Sequence, residues 1–524
     1  MLSTIHSVTI NGLQATRVLL EISIEPCKAQ REPVFVMVGL PDSAVKESRT
    51  RMRAALHNSG YRVKGTYDVA VNFAPADVKK EGSGFDLPLA IGQLCALAPE
   101  IPELAGIDHN IGRYMFVGEL GLNGELRPVR GTLLASILAR DMDYDAIFVP
   151  TDNVREAAVV NRLKVYGAHN LREVVDHLLG LRLIEPTVID TRAEFYAAQT
   201  TFDADFSEVK GQAAARRAFE VAAAGGHNII LVGSPGCGKS MMAKRLPGIL
   251  PPLTLHESLE TTQIHSIAGK LRSEDTLISR RPFRSPHHTI SDVALIGGGA
   301  SLQPGEISLA HNGVLFLDEF PEYSKNVLET LRQPLEDRQI SISRAKYSAT
   351  LPCSFMLVAA MNPCPCGYYN DPYHPCTCTP GQIHRYMNKI SGPLMDRIDI
   401  QMELTPVPVK ELNNAPEGEP SAAIRERVVK ARAIQTARFK DEPTVHCNAQ
   451  MTTRLLRKYV VLDAEASAIM ERVMDRLGLS ARAYERILKV ARTIADLDDS
   501  TDVTKKHIAE AVTYRNLDRS SWGE

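Results

Sequence analysis

The chain has little that would commit it to one kind of partner. Of its 524 residues 6% are aromatic and one is tryptophan, and 60 basic against 62 acidic side chains leave a formal charge of −2. Such a balance supplies no overall field to draw in nucleic acid, so any site of that kind must be a local patch. No apolar run reaches the ~20 residues of a membrane-spanning helix. The opening MLSTIHSVTI has neither a basic leader nor an apolar core, so the expectation is a cytoplasmic protein with no membrane partner. Nine cysteines, an odd number with four of them between 364 and 378, argue against a secreted disulfide scaffold and for a local metal site or clustered thiols. What is present, 44% hydrophobic and 23% charged residues, is the composition of a globular protein. The length calls for about three domains.

The strongest stretch is GHNIILVGSPGCGKS, residues 226–240. Ile229, Ile230, Leu231 and Val232 are too short a run for a helix and rich in β-branching, which predicts a buried parallel strand breaking at Gly233. Gly233, Ser234, Pro235, Gly236, Cys237 and Gly238 then form a loop whose backbone N–H groups can close around a phosphate. Lys239 supplies a charge for the β and γ phosphates and Ser240 a hydroxyl for Mg²⁺. The helix formers that follow place the anion at a helix N-terminus, where the dipole favours negative charge. A chance glycine turn would not have all of this context.

Further on, GVLFLDEF (313–320) reads as a second buried strand ending in Asp318 and Glu319. Beside a phosphate loop, the first carboxylate can hold Mg²⁺ through its water shell and the second can activate the attacking water. Between the two strands lies a long insertion. It carries Arg280, Arg281, Arg284, His287 and His288 within nine residues, then glycines at 297–299. Cations on a glycine-jointed loop suit phosphate contacts, or else a merely solvated loop; the paired histidines could also be metal ligands. QISISRAKYSATL predicts a hairpin with Arg344 and Lys346 at its tip, a second candidate for binding DNA. FMLVAAMN is a third buried strand, ending at Asn362. Cys364, Cys366, Cys376 and Cys378 then form C-x-C-x₉-C-x-C, which either closes a tetrahedral Zn²⁺ site, with His374 as a spare ligand, or is a proline-stiffened loop of free thiols.

Ahead of the phosphate loop, residues 1–180 alternate strand and helix signals. VLLEISI and VFVMVGL are strands, and Asp42 caps a helix with Val45, Met52, Ala55 and Leu56 on one face, ended by Gly60. Val69, Val71 and Phe73 alternate in a further strand. Patterning weakens over 181–204, which reads as a linker. Residues 205–403 hold the ATPase-like motifs, and 404–524 read as a small helical domain with segments from Ser421, Met451, Asp463, Ser480 and Val503. The fold class expected is α/β and multidomain.

Two resemblances add to this. KKEGSGFDL and GELGLNGELRPV resemble the Lon protease domain, whose nucleophile is a serine activated by a lysine. Here Gly84 falls at the serine position and Leu133 at the lysine position, Ser83 is adjacent, and no lysine occurs between Lys80 and Lys164. The domain is therefore expected to be a scaffold or interaction surface. The order GSPGCGKS, PGEISLAHNGVLFLDEF, AAMNPCPCG, GPLMDRIDI and LSARAYERILKVARTIADL is similar to that of the magnesium-chelatase-like AAA+ proteins of the ComM/YifB type, across essentially the whole chain. The resemblance implies that DFSEVKGQ (205–212) packs near the adenine and that Asn362 reads the γ-phosphate. It implies that Arg397 enters the neighbouring subunit's nucleotide site, unless it only pairs with Asp396 or Asp399, and that Arg482 reaches back to the γ-phosphate. It further implies a homohexameric ATP- and Mg²⁺-dependent motor that promotes branch migration of taken-up DNA, with single-stranded and branched DNA and recombination proteins as partners. The alternative is a metal-chelatase-type motor that remodels a protein.

Overall fold

The computed structural model describes residues 1–27, 32–61, 66–107, 110–199, 202, 204–299, 303–344, 347–408, 416–477 and 479–515. The N-terminal part is built on a seven-stranded sheet. Strands β1 (Leu2–Asn11) and β2 (Gln14–Pro26) pair antiparallel around the turn Gly12–Leu13, where Gly12 takes φ +56°. Strict alternation buries Val18, Leu20, Ile22 and Ile24 on one face of β2. Strand β3 (Phe35–Val38) runs through helix α1 (Ser43–Asn58) to β4 (Tyr67–Ala74). Asp42 caps α1, its Oδ1 accepting the Val45 N–H at 2.8 Å, and Val45, Met52, Ala55 and Leu56 form the buried face. Helix α2 (Asp86–Leu97), buried nearly throughout, packs on β1 and β2. Strand β5 (Tyr114–Phe116), helix α3 (Thr132–Asp141) and strands β6 (Ala146–Pro150) and β7 (Lys164–Ala168) complete the order β3-β4-β2-β1-β5-β6-β7.

The stretch that patterning reads as a linker contains a helix, α4 (Thr191–Ala198), capped by Asp190. Phe195 of α4 packs in one apolar cluster with Leu133, Val159 and Val160 and with Leu253 and Leu277 of the following domain. A single buried aromatic over two turns is enough to dock a helix but too little to show as periodicity.

The second part is a parallel sheet flanked by helices. Helix α5 (Ala213–Gly225) leads into β8 (Ile229–Gly233), followed by α6 (Lys239–Ile249) and α7 (Leu255–Ile267). Strands β9 (Phe283–Arg284) and β10 (Val314–Leu317), the hairpin β11 (Gln339–Arg344) and β12 (Tyr347–Pro352), and strands β13 (Met356–Met361) and β14 (Ile400–Leu404) follow. The sheet order is β9-β10-β13-β8-β14, all parallel, and β8, β10 and β13 are buried on both faces. This explains their unbroken apolar runs. The C-terminal part consists of helices α8 (Ser421–Arg438), α9 (Thr453–Tyr459), α10 (Ala464–Leu477), α11 (Ala481–Leu497) and α12 (Lys505–Thr513). Ile487, Val490, Ala491 and Ile494 of α11 join the core that also holds Ile229 and Leu231 of β8. Among the described residues no helix is long and apolar enough to cross a membrane.

Candidate nucleotide site and subunit edge

Three adjacent strands, β10, β13 and β8, deliver their C-terminal ends to one place. After β8 the chain must turn back sharply into α6, and glycine permits it. Gly236 and Gly238 take φ +81° and +96°, and a Cβ on Gly233 would lie 2.6 Å from the Leu404 carbonyl oxygen. Lys239 opens α6 with its Nζ donating to the carbonyls of Gly233 (2.6 Å) and Ser234 (3.0 Å) and to Asn362 Oδ1 (3.1 Å). Burial lowers its pKa, while the nearby Cys237 and Asp318 work in the opposite direction. Ser240 Oγ donates to Asp318 Oδ2 at 2.6 Å, bringing together two hard oxygen donors of the kind Mg²⁺ takes. Asp318 Oδ1 also accepts the Glu319 N–H at 2.9 Å. Glu319 sits at φ +51°, a left-handed conformation that is costly for a side chain with a Cβ and is found at functional sites. Lys239, Ser240, Asp318 and Asn362 are thus assembled as a phosphate and Mg²⁺ site, with Glu319 at its margin.

Arg397 lies elsewhere. It precedes β14 by three residues, so it sits at the edge of the sheet where the parallel strands begin, whereas the phosphate loop sits where they end. Five residues of β8 separate the two edges, roughly 16 Å at about 3.3 Å per residue. The Arg397 guanidinium donates to the Pro393 carbonyl at 2.7 Å and pairs with Glu336. Neither Asp396 nor Asp399 is its ion-pair partner, contrary to the expectation. Asp399 is wholly buried and belongs to Arg486 (2.7 Å) and His227 (3.2 Å). Arg482, exposed on the first turn of α11, shares the surroundings of Glu336 with Arg397, and both hold the Glu336 carboxyl below its usual range. The expectation that Arg482 reaches back to its own γ-phosphate is corrected by this placement: both arginines stand on the edge opposite their own phosphate loop. Sequence reasoning missed Glu336, Arg486 and Asp399. A signal existed for Arg486, one helical turn beyond Arg482 in SARAYERI.

The four cysteines meet. Their sulfurs all lie within 4.8 Å of one another, with Cys364–Cys366 at 3.3 Å, Cys366–Cys376 at 3.6 Å and Cys364–Cys376 at 3.7 Å. A tetrahedral zinc with bonds of ~2.3 Å has sulfur–sulfur edges of about 3.8 Å, so the donor set and its size fit that ion. His374 turns to Asp371 instead (3.4 Å). The loop is seated on the phosphate loop. Ser234 bonds the Asp371 carboxyl, helping hold it below its usual range, and a Cβ on Gly367 would meet Pro235 at 2.9 Å.

Comparison with known proteins agrees with this geometry. The family model described as magnesium chelatase, subunit ChlI, matches residues 205–412, its C-terminal companion 418–515, and a third, subunit ChlI of Mg-chelatase, 24–153. The chain is 41% identical over 523 residues to "Competence protein ComM" of Haemophilus influenzae, covering 99% of this chain and 98% of that protein. It is 40% identical over 522 residues to "Uncharacterized protein YifB" of Salmonella typhimurium, with the same coverage. The chain belongs to the ComM/YifB-type magnesium-chelatase-like family. Membership carries ATPase activity and the use of ATP and Mg²⁺. A more distant relative, "Probable DNA helicase MCM9" of Oryza sativa, is 24% identical over 304 residues, 54% of this chain and 38% of that protein.

In this ComM/YifB-type chain the basic insertion does not present free cations as expected. Arg281 is turned inward, donating to the carbonyls of Pro251 (2.7 Å) and Asn312 (2.7 Å) and pairing with Glu257 at 3.2 Å. Arg284 forms a two-pronged pair with Glu306 at 2.6 and 2.7 Å. Arg280 is exposed, but it donates to the Ala198 carbonyl at 3.1 Å and lies over the Phe202 ring. These arginines fasten the insertion to its own domain and to the linker, because carboxylates and carbonyls distant in sequence fold against them. His287 and His288 stack at 4.1 Å, yet His288 points to Glu319 rather than forming a metal pair with its neighbour. The hairpin expected around Arg344 and Lys346 forms, with Arg344 opposite Tyr347 in register. Lys346 lies outside the described residues, and Arg344 is described only as the end of β11.

The Lon-like features are dismantled. Ser83 donates to Glu119, and the Lys80 amine to the Pro75 carbonyl. Leu133, at the lysine position, is fully buried in the cluster that joins α4 to the following domain. Gly84 keeps only a backbone role, its carbonyl accepting the Gly118 N–H at 3.0 Å. A cavity of about 560 Å³ remains beside Ser83 and Glu119, closed on its far side by Ile267 and Gln303 of the ATPase part.

Proposed function

We propose that this chain is an ATP-driven DNA motor, a homohexameric ring that hydrolyses ATP between subunits. In this reading it drives unwinding and branch migration as taken-up DNA is integrated by homologous recombination in natural transformation. The observation that carries the reading is the split of the catalytic set. Lys239, Ser240, Asp318 and Asn362 stand on one edge of the sheet and Arg397 with Arg482 on the other. A chain whose cations cannot meet its own phosphates is complete only when a second copy brings its edge to the first. An arginine inserted in this way stabilises charge on the transferring phosphoryl group. The name of the full-length Haemophilus relative supports the place in competence, and that of the Oryza relative the class of substrate.

Asp318 and Ser240 would hold Mg²⁺, Glu319 would take the proton of the attacking water, and the four thiolates would hold a structural zinc under the phosphate loop. The hairpin tip with Arg344 and Lys346 would meet DNA backbone, giving sequence-independent and salt-sensitive binding. The deciding measurement is the ATPase rate with and without single-stranded and four-way-junction DNA, at two salt concentrations. Stimulation that fades with salt is the expected result. A rate indifferent to every DNA would overturn the motor reading and turn attention to the alternative, a remodelling motor acting on a protein.

A further inference from the structure

Glu319 must reach a water at the γ-phosphate, yet its carboxylate is engaged elsewhere. Its Oε2 lies 3.0 Å from Nδ1 of His288, a residue of the insertion that no reading of the nucleotide site includes. The direction matters. His288 follows β9, the edge strand beside β10, while the phosphate loop follows β8 on the other side of β13. With strands about 4.8 Å apart, a carboxylate drawn toward β9 is drawn away from a phosphate loop two strands across. The backbone of Glu319 is also held in a left-handed conformation.

The segment carrying His288 is attached at both ends to things that can move it. On the catalytic side, Tyr323, four residues past Glu319, donates its hydroxyl to the Pro286 carbonyl at 2.7 Å. His287 stacks on His288. On the other side the chain runs through a short helix, Asp292–Ile296, into the paired strands Gly297–Gly298 and Gln303–Pro304. A Cβ on Gly297 would fall 2.9 Å from Ile342 Cδ1, so this ribbon lies directly against β11 of the basic hairpin. A displacement of the hairpin therefore has a packed path to His288.

We propose that His288 is a positioning residue that restrains Glu319, withholding its carboxylate from the attacking water until an engaged strand of nucleic acid moves the hairpin and insertion. The proposal rests on the motor reading for the identity of the ligand, but its central claim, the restraint, needs no ligand to test. A ligand can shift such an equilibrium only by its differential affinity for the two arrangements.

The experiment compares wild type, His288→Ala and His288→Asn in steady-state ATPase assays with and without single-stranded DNA, using the full chain. For His288→Ala the basal rate should rise roughly three- to tenfold, the scale of releasing one charged hydrogen bond, and further stimulation by DNA should shrink toward none. His288→Asn, which can still donate to the carboxylate, should stay near the wild-type basal rate. Adding Glu319→Gln to His288→Ala should abolish the gain. A His288→Ala basal rate at or below wild type, with ATP affinity unchanged, would overturn the restraint. If wild type ignored DNA while His288→Ala still ran faster, the motor reading would fail and the restraint would stand.

Discussion

At residues 80–84 and again at 236–240 the chain sets a lysine and a serine hydroxyl beside a glycine turn, and only the second became a site. In the first, the Lys80 amine is spent on the Pro75 carbonyl and the Ser83 hydroxyl on Glu119. The helix position where a partner amine would stand is Leu133, fully buried where this part docks on the next. In the second, Lys239 and Ser240 face Asn362 and Asp318, delivered by two neighbouring strands whose C-terminal ends point the same way. The local ingredients are alike. What differs is what converges on them from distant parts of the chain, and a parallel sheet converges its strand ends by construction.

The hardest test of this contrast removes the convergent groups. Lys239→Ala should abolish nucleotide binding, whereas Glu319→Gln should keep ATP bound while turnover falls about 10²- to 10⁴-fold, the usual worth of a positioned acid or base. A Gln variant hydrolysing at the wild-type rate would remove Glu319 from the site. Next comes the opposite edge. Arg397→Ala should lower the rate by roughly 10³ to 10⁵, and mixing it with Lys239→Ala subunits should restore part of the activity. Full activity of Arg397→Ala, or of a strict monomer, would mean that one copy suffices.

Asp399 is a smaller target with a stability readout. Burial pushes its carboxyl pKa up, but Arg486 foremost, then His227 and Lys489, outweigh burial and hold it below its ordinary value. Its stabilising contribution is thus complete above the unfolded value near ~3.9 and is lost as pH falls toward the lower folded value. Asp399→Asn leaves Arg486 buried without its counter-charge and should cost about 3–5 kcal/mol. Melting at pH 7 should show the drop, and the gap from wild type should narrow in acid; an unchanged melt would discount the pair.

For the cysteine loop, elemental analysis should find about one zinc per chain, lost in Cys366→Ser. Because Asp371 and Gly367 rest on Ser234 and Pro235, the variant should also bind ATP somewhat more weakly. Metal-free protein with four titrating thiols would leave a stiffened loop instead. The smallest effect belongs to the first lysine–serine turn. Ser83→Ala should leave ATPase unchanged, and neither form should cleave peptides; Ser83-dependent cleavage would undo the contrast.

The residues that could be read from sequence alone are those whose neighbours in sequence impose their conformation. The glycines of 233–238 fix a loop by backbone sterics, unbroken runs such as Val314–Leu317 announce strands covered on both faces, and Asp42, Asp463 and Ser480 announce helix starts by capping. The α/β class, the phosphate loop, the acidic strand end and the clustered cysteines followed from such local rules. Tertiary structure decided which charges are free. Arg284 was consumed by Glu306 and Arg281 by Glu257, while Arg482 stands with Arg397 around Glu336, 61 residues before Arg397. His288 holds Glu319, 31 residues on. A charge is neutralised by whatever folds within a few ångströms of it, and sequence separation does not limit that distance.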